Sequence, residues 1–160
     1  MTLRKLLIAL VALLVLGFGF TFVEAQEDDD APEIAYRQRL MKGHGASMGS
    51  IGDFLKYKLP YGSNHVAVHA KNISEYATLI PAAFEKKITD GKTDAKPEVW
   101  DNWDDFVAKA NALNVAATEL SAAAAGGDMR AMMPNVKALG DACRGCHNDY
   151  RKPEEERYPR

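Results

Sequence analysis

Beyond residue 30, apolar residues recur along most of the chain at intervals of three and four positions. This interval matches the 3.6-residue turn of an α-helix, and no stretch alternates apolar and polar residues as a half-buried strand would. Four such segments follow one another, separated by short polar or glycine-containing stretches. The pattern therefore predicts an all-α domain, an antiparallel up-down-up-down four-helix bundle with short loops.

The first two predicted helices flank a polar turn at residues 58–64. The first runs from about Pro32 or Glu33 to Tyr57. The second follows the turn, and Pro81 should kink it near its end because proline lacks a backbone N–H. The inner face predicted for the first helix consists of Ile34, Arg37, Met41, Gly45, Met48, Gly52 and Leu55.

The last two predicted helices have clear end signals. Pro97 suits the first turn of the third helix, where a missing N–H costs little. Two glycines at 126–127 end that helix, and Asp128 caps the fourth, which extends to Tyr150. The inner face predicted for the fourth helix consists of Met132, Val136, Leu139, Cys143, Cys146, His147 and Tyr150.

The fourth helix carries the sequence Cys143-Arg144-Gly145-Cys146-His147, the C-x-x-C-H attachment motif of a c-type haem. Residues three apart lie on one face of a helix, so both thiols can add to vinyl groups on one porphyrin edge. The motif thus predicts one covalent haem c, attached at both cysteines, with the histidine as an axial iron ligand. The alternative is a thioredoxin-like thiol pair followed by a chance histidine, but such a pair normally lies in a βαβ pattern, which is not visible.

The amino terminus has the features of a secretory signal peptide. Two basic residues precede an apolar run over residues 6–23, a small residue follows at Ala25, and an acidic stretch comes next. We expect cleavage of residues 1–25 and a mature domain of residues 26–160 in the bacterial periplasm, where c-type haem is assembled. After cleavage no stable membrane insertion is expected; the alternative is a retained membrane anchor.

The charge and composition argue against other classes of protein. The formal net charge of the whole chain is −2, and no basic stripe suggests a nucleic-acid partner. Neither a glycine-rich phosphate loop nor an internal repeat is visible. We expect transient redox proteins as partners, and no turnover of a substrate; a homodimer is an open alternative.

Three segments, the last of which contains the haem motif, resemble the class II c-type cytochromes, the cytochrome c′ family. These are residues 36–41, residues 97–100 and residues 143–151, and together they span nearly the whole mature chain. The resemblance implies the four-helix bundle with one haem. It also implies that Met41, four residues after Arg37, lies at the second axial position of the iron.

The family has two functional outcomes at that position. In one, a methionine sulfur bonds the iron and the protein carries electrons; in the other, the iron is five-coordinate and binds nitric oxide or carbon monoxide. Met41 and the glycines around it favour sulfur ligation, because glycines would let the helix approach the porphyrin closely. His44, expected to be partly exposed, and Met48, expected in the core, are the weaker candidate ligands.

Two arginines are candidate haem contacts by the same resemblance. Arg37 resembles the family arginine that reaches the haem propionates, and an ordinary surface ion pair is its alternative. Arg151 lies one helical turn beyond His147 and could sit beside the imidazole or a propionate. A solvated arginine at a helix end is the alternative there.

Overall fold

The computed structural model describes residues 31–56, 58 and 62–159. Within this part of the chain lie six α-helices and one turn of 3₁₀ helix. In chain order they are α1 Pro32–Leu55, α2 Ser63–Ala77, α3 Ile80–Phe84, α4 Glu98–Asp101, α5 Trp103–Ala125, α6 Met129–Tyr150 and the 3₁₀ turn Glu154–Glu156. The predicted signal peptide, residues 1–25, and the predicted helix end at Tyr57 lie outside the described residues.

The four long helices α1, α2, α5 and α6 form the bundle, which confirms the predicted fold. α2 packs against both α1 and α5, and α5 packs against α6, while the short helices α3 and α4 lie against α1, α5 and α6. Among the described residues there is no β-strand, only an isolated antiparallel bridge between Ala95 and Arg151. Those residues also contain no helix that is both long and apolar enough to span a membrane.

Two of the predicted helices are interrupted. The second ends at Ala77 and resumes as α3, which has Pro81 in its first turn, so the chain breaks before the proline instead of kinking at it. This is physically reasonable because a first-turn position needs no N–H donor. The third is divided into α4 and α5 by Asn102, whose φ of −124° and ψ of 48° are not helical.

The fourth helix begins as predicted. The Asp128 carboxylate accepts hydrogen bonds from the backbone N–H groups of Arg130 and Ala131, at 2.8 and 3.2 Å. Gly127 before it has a φ of +82°, a left-handed conformation that favours glycine. These local signals fix the register of α6 and hence the direction in which its haem motif faces.

α1 has two inward-facing sides where the sequence predicted one. Beyond Arg37 the buried residues of this helix are displaced from the predicted inner face: they are Leu40, His44, Ser47, Ile51 and Phe54. The predicted positions Met41, Gly45 and Met48 line a cavity next to the core. The prediction that His44 is partly exposed was wrong, since only 8% of its surface is accessible.

Candidate functional site

A cavity of about 580 Å³ lies inside the bundle, bounded by α1, α5, α6 and the loop at residues 93–95. This volume lies within the roughly 300–1,000 Å³ that is typical of small-molecule and cofactor sites. Most of its wall is apolar, and Ile34, Phe84 and Phe106 contribute to it. Such a wall keeps water from a bound group and leaves polar contacts to a few side chains.

Helix α6, which carries the haem motif, forms the first wall of the cavity. Cys143 and Cys146 are half-buried, His147 is more exposed, and all three line the cavity. Burial raises the pKa of the Cys143 thiol, and it raises the pKa of Cys146 to about 11, so both sulfurs keep their protons at neutral pH. The structure thus presents two neighbouring thiols and an imidazole to one cavity.

The His147 imidazole is held in its neutral form. Burial is the main reason that its pKa lies below the ordinary value, and the positive charges of Arg151 and Arg157 lower that pKa further. A neutral imidazole has a lone pair free for a metal ion. The environment of this side chain therefore suits an axial ligand at neutral pH.

α1 supplies the facing set of side chains. Met41 is half-buried and lines the cavity together with Gly45 and Met48. A Cβ added at Gly45 would meet no heavy atom within 4 Å, so the chain leaves this side of the cavity open. The two walls therefore bring a thioether and an imidazole to one cavity, a donor set that fits haem iron.

Gly43 does not serve the role that the sequence suggested for the glycines of this helix. A Cβ placed there would lie 2.7 Å from Cε2 of Tyr76, so the missing side chain makes room for a tyrosine of α2. The close approach that Gly43 allows is between two helices rather than toward a cofactor.

His44 is fixed between α1 and α2. Its Nδ1 lies 3.0 Å from the carbonyl oxygen of Leu40, and its ring meets the ring of Tyr76 edge-on with centroids 5.8 Å apart. Its Nε2 is buried and has no hydrogen-bond partner in the described part of the chain. Burial lowers the pKa of this imidazole, which is consequently neutral at physiological pH.

Arg37 also lines the cavity. Its guanidinium, however, mainly stabilises the tertiary structure through hydrogen bonds to backbone carbonyl groups. Only 3% of the surface of Arg37 is accessible to solvent. Its N–H groups donate to the carbonyl oxygens of Ala83, Lys86 and Ile88 at 2.7, 2.6 and 3.4 Å. Three of its five donors are used in this way, which leaves two for a further acceptor.

Arg151 lies where α6 ends and joins the helix to the loop that forms the third wall. Its Nη2 contacts a carboxylate oxygen of Asp94 at 3.5 Å. Backbone hydrogen bonds from Lys96 N–H to the Tyr150 oxygen (3.0 Å) and from Lys152 N–H to the Asp94 oxygen (2.8 Å) flank this pair. The loop is thereby fixed beside the haem motif.

The sequence pattern did not single out Lys109, nor the polar contact made by the cavity residue Tyr150. Lys109 lines the cavity and its Nζ contacts Asp149 Oδ2 at 2.6 Å, while the Tyr150 hydroxyl donates to Asp105 Oδ2 at 2.5 Å. Lys109 lies three positions after Phe106 on α5, so the helical period already places it next to the inner face. The contacts themselves join distant parts of the chain and leave no local signal.

Comparison with known proteins places the chain in a family. The family model described as cytochrome c′ matches residues 32–151, which include all four long helices and the haem motif. The chain belongs to the cytochrome c′ family. Cytochromes c′ carry one covalent haem c, and the cavity with its two cysteines fits that group, so this chain is a monohaem class II cytochrome.

The sequence relatives include proteins named cytochrome c′ and proteins named cytochrome c-556. The chain is 32% identical to a cytochrome c′ of Rhodospirillum rubrum over 149 residues, which cover 92% of this chain and 97% of the relative. It is 37% identical to a cytochrome c-556 of Agrobacterium tumefaciens over 117 residues, 72% of this chain and 90% of the relative.

Solved structures are similar over most of the domain. The cytochrome c′ of Thermochromatium tepidum has 32% sequence identity and a TM-score of 0.67, covering 78% of this chain and 99% of that chain. The nitric oxide complex of a variant cytochrome c′ from Alcaligenes xylosoxidans has 29% identity and a TM-score of 0.67, covering 76% and 94%.

Proposed function

We propose that this cytochrome c′ is an exported electron carrier whose haem is attached at Cys143 and Cys146. His147 and Met41 are the proposed axial ligands. The observation that carries the proposal is that Met41 of α1 and His147 of α6 line the same cavity. Bound haem supplies a one-electron couple between ferric and ferrous iron.

The residues of the chain suit this role in three ways. A thioether ligand favours the ferrous state and so raises the reduction potential. The apolar wall excludes water, which lowers the local dielectric around the iron. Both candidate ligands lie on long helices of one bundle, which would hold them in place in both oxidation states so that little has to reorganise when an electron moves.

The two arginines of the cavity wall are proposed haem contacts. Arg37 keeps two N–H donors beyond its three carbonyl contacts, and Arg151 is half-buried at the edge of the haem motif. Charge-assisted hydrogen bonds to a carboxylate are the strong contacts that such groups form. A propionate is the carboxylate that haem offers.

A second candidate function is the binding of nitric oxide or carbon monoxide at a five-coordinate iron. The relatives favour this candidate more directly, since one solved neighbour is a nitric oxide complex of a cytochrome c′. In that case Met41 would screen the open face of the iron without bonding it. The geometry of the cavity favours the first candidate, because a methionine sulfur is available there as a ligand.

Carbon monoxide added to the reduced holoprotein separates the two functions. Sulfur ligation predicts slow or absent binding at neutral pH in the wild type and fast, complete binding in the Met41→Ala variant. Immediate and complete binding by the wild type would replace the first function with the second. Met48→Ala is the matched control, since it removes another methionine from the same wall.

The proposed function also includes export of the protein, exchange of electrons with partner proteins and an assembly state. We expect the mature protein in the periplasm, where transient redox proteins would exchange electrons with it. One structurally similar cytochrome c′, with 30% identity and a TM-score of 0.67, is described as showing ligand-controlled dimer dissociation. Sedimentation of the holoprotein with and without carbon monoxide tests whether a dimer of this kind forms here.

A further inference from the structure

A surface groove of about 470 Å³ lies on the outside of the cavity wall and is not part of the haem site. It is lined by Pro81, Ala82, Glu85, Trp100 and Trp103, which come from α3, its C-terminal cap, α4 and the start of α5. Both tryptophans are half-buried, and Glu85 is exposed. The groove therefore offers aromatic surface and a carboxylate to the solvent.

The groove and the haem cavity share a thin aromatic wall. Phe84 and Phe106 line the cavity, with ring centroids 5.2 Å apart. On the groove side, the Trp103 ring lies 5.7 Å from the Phe106 ring, and the Trp100 indole donates a 2.7 Å hydrogen bond to the carbonyl oxygen of Phe84. A group seated in the groove would be separated from the haem site by these side chains.

The two tryptophans differ in what already contacts them. The Trp100 ring has the Arg37 guanidinium at 5.4 Å and the Lys87 ammonium at 6.0 Å from its centroid. No cation of the described residues lies over Trp103. An indole face attracts a cation placed within about 6 Å of its centroid. Trp103 thus keeps a cation-binding capacity that the chain itself does not use.

The charges around the groove also favour the binding of a cation. In the described part of the chain Glu85, Glu98 and Asp104 are exposed and form no ion pair. The lysines next to Glu85 are each paired elsewhere: Lys86 with Glu33 at 2.7 Å and Lys87 with Asp101 at 3.1 Å. Glu85 is the carboxylate among these that lines the groove, and an unpaired carboxylate next to aromatic rings is complementary to a basic side chain.

We propose that this groove is the docking surface for a protein partner that inserts an arginine or lysine side chain against Trp103 and Glu85. The partner's cation would contact the indole face and the carboxylate together, while its neighbouring surface would cover the wall formed by Phe84 and Phe106. Only the redox nature of the partner rests on the proposed electron-carrier function; the docking does not.

The test uses an acetylated tetra-arginine amide as the probe and the reduced holoprotein under carbon monoxide. Under these conditions the iron is low-spin whether Met41 is a ligand or not, so failure of the proposed function does not affect the readout. The chain has two tryptophans, and their two indole N–H resonances can be followed by NMR. We expect the Trp103 resonance to move in a saturable way, and to move less at high salt.

Two charge-reversal variants provide the comparison. Glu85→Lys should weaken binding of the peptide about three- to tenfold, since it replaces an attraction with a repulsion next to the cation. Glu119→Lys is the matched control, another exposed position on α5 that forms no ion pair within the described residues, about 24 Å further along the helix from Trp103. It should leave the affinity within about twofold.

A variant that preserves the packing of the groove distinguishes a loss of peptide binding from misfolding. Trp103→Phe keeps an aromatic ring against Phe106 and should weaken peptide binding with an unchanged midpoint of urea unfolding; its affinity is measured by calorimetry, because the variant lacks the Trp103 indole resonance. An unmoved Trp103 resonance would overturn the proposal, as would equal weakening by Glu85→Lys and Glu119→Lys. A Trp103 shift produced by raising the protein concentration alone would assign the groove to a second copy of this chain and would also overturn it.

Discussion

The Nε of Arg37 in α1 donates a 2.7 Å hydrogen bond to the carbonyl oxygen of Ala83 in α3. The same guanidinium lies over the rings of Phe84 and Trp100, at 4.7 and 5.4 Å from their centroids. One buried cation thus connects the first helix to the segment that precedes the cavity loop. Since these contacts join parts of the chain that are far apart in sequence, Arg37 stabilises the tertiary structure as well as lining the cavity.

Replacement of Arg37 by alanine should therefore destabilise the holoprotein by about 3 kcal/mol, because three carbonyl groups lose their donor in a buried place. Urea unfolding measures the loss. Arg39→Ala is the control on the same helix: this arginine is exposed, and its removal should change the free energy of unfolding by no more than about 0.5 kcal/mol. Equal effects of the two variants would contradict the structural role of Arg37.

Two glycines of α1 should respond in opposite ways to substitution by alanine. In Gly43→Ala the new Cβ would lie 2.7 Å from the Tyr76 ring, so the ring must shift, at a cost of about 1–3 kcal/mol. Gly49→Ala meets nothing within 4 Å and should stabilise the helix by up to about 1 kcal/mol. Thermal unfolding of both variants checks this, and a Gly43→Ala protein as stable as Gly49→Ala would rule out the tight contact.

Tyr150 should make the protein less stable in alkali. Burial, together with the hydrogen bond and charge of Asp105, raises the pKa of Tyr150 to about 12. An unfolded tyrosine ionises near pH 10, so between about pH 10 and 12 the unfolded chain releases a proton that the native protein retains. The free energy of unfolding should consequently fall as the pH rises through this window.

Tyr150→Phe provides the check on that slope. The variant should lose part of the decrease in unfolding free energy between pH 10 and 12, measured by urea unfolding at a series of pH values. A residual decrease is expected from Lys109, whose pKa is raised mainly by its hydrogen bond to Asp149. Identical slopes in the variant and the wild type would show that the Tyr150 hydroxyl titrates normally.

Covalent attachment makes a prediction about mass. Expressed in a periplasm with the haem-attachment machinery, the wild type should have the mass of the mature peptide plus one haem that denaturation does not remove. The double variant Cys143→Ala, Cys146→Ala should have the unmodified peptide mass. A single variant keeps one cysteine and can therefore hold haem through at most one thioether bond. A wild type with free thiols and unmodified mass would contradict attachment at these residues.

The parts of the fold that the sequence predicted correctly depend on short-range physics. The N-cap at Asp128 needs only backbone N–H groups two and three residues away, and the helical period fixes which residues share a face. The haem motif places Cys143, Cys146 and His147 on a single helix, so their common position in the cavity wall follows from spacing alone.

Other features could not be predicted because they depend on partners far away in the chain. The break at Asn102 closely follows Trp100, whose indole N–H donates to the carbonyl oxygen of Phe84, 16 residues earlier in the chain. Asp94 and Arg151, 57 residues apart, meet only because the loop folds back on the end of α6. The burial of His44 depends on the approach of α2. The sequence pattern of α1 alone does not indicate that approach.

Joint ligation of the iron by Met41 and His147 can be tested through the spin state of the oxidised holoprotein at neutral pH. Ligation by both side chains predicts a low-spin spectrum with a sulfur-to-iron charge-transfer band. Met41→Ala should become high-spin and lose this band, while Met48→Ala should keep it. A wild-type protein that is high-spin and lacks the band would contradict sulfur ligation by Met41.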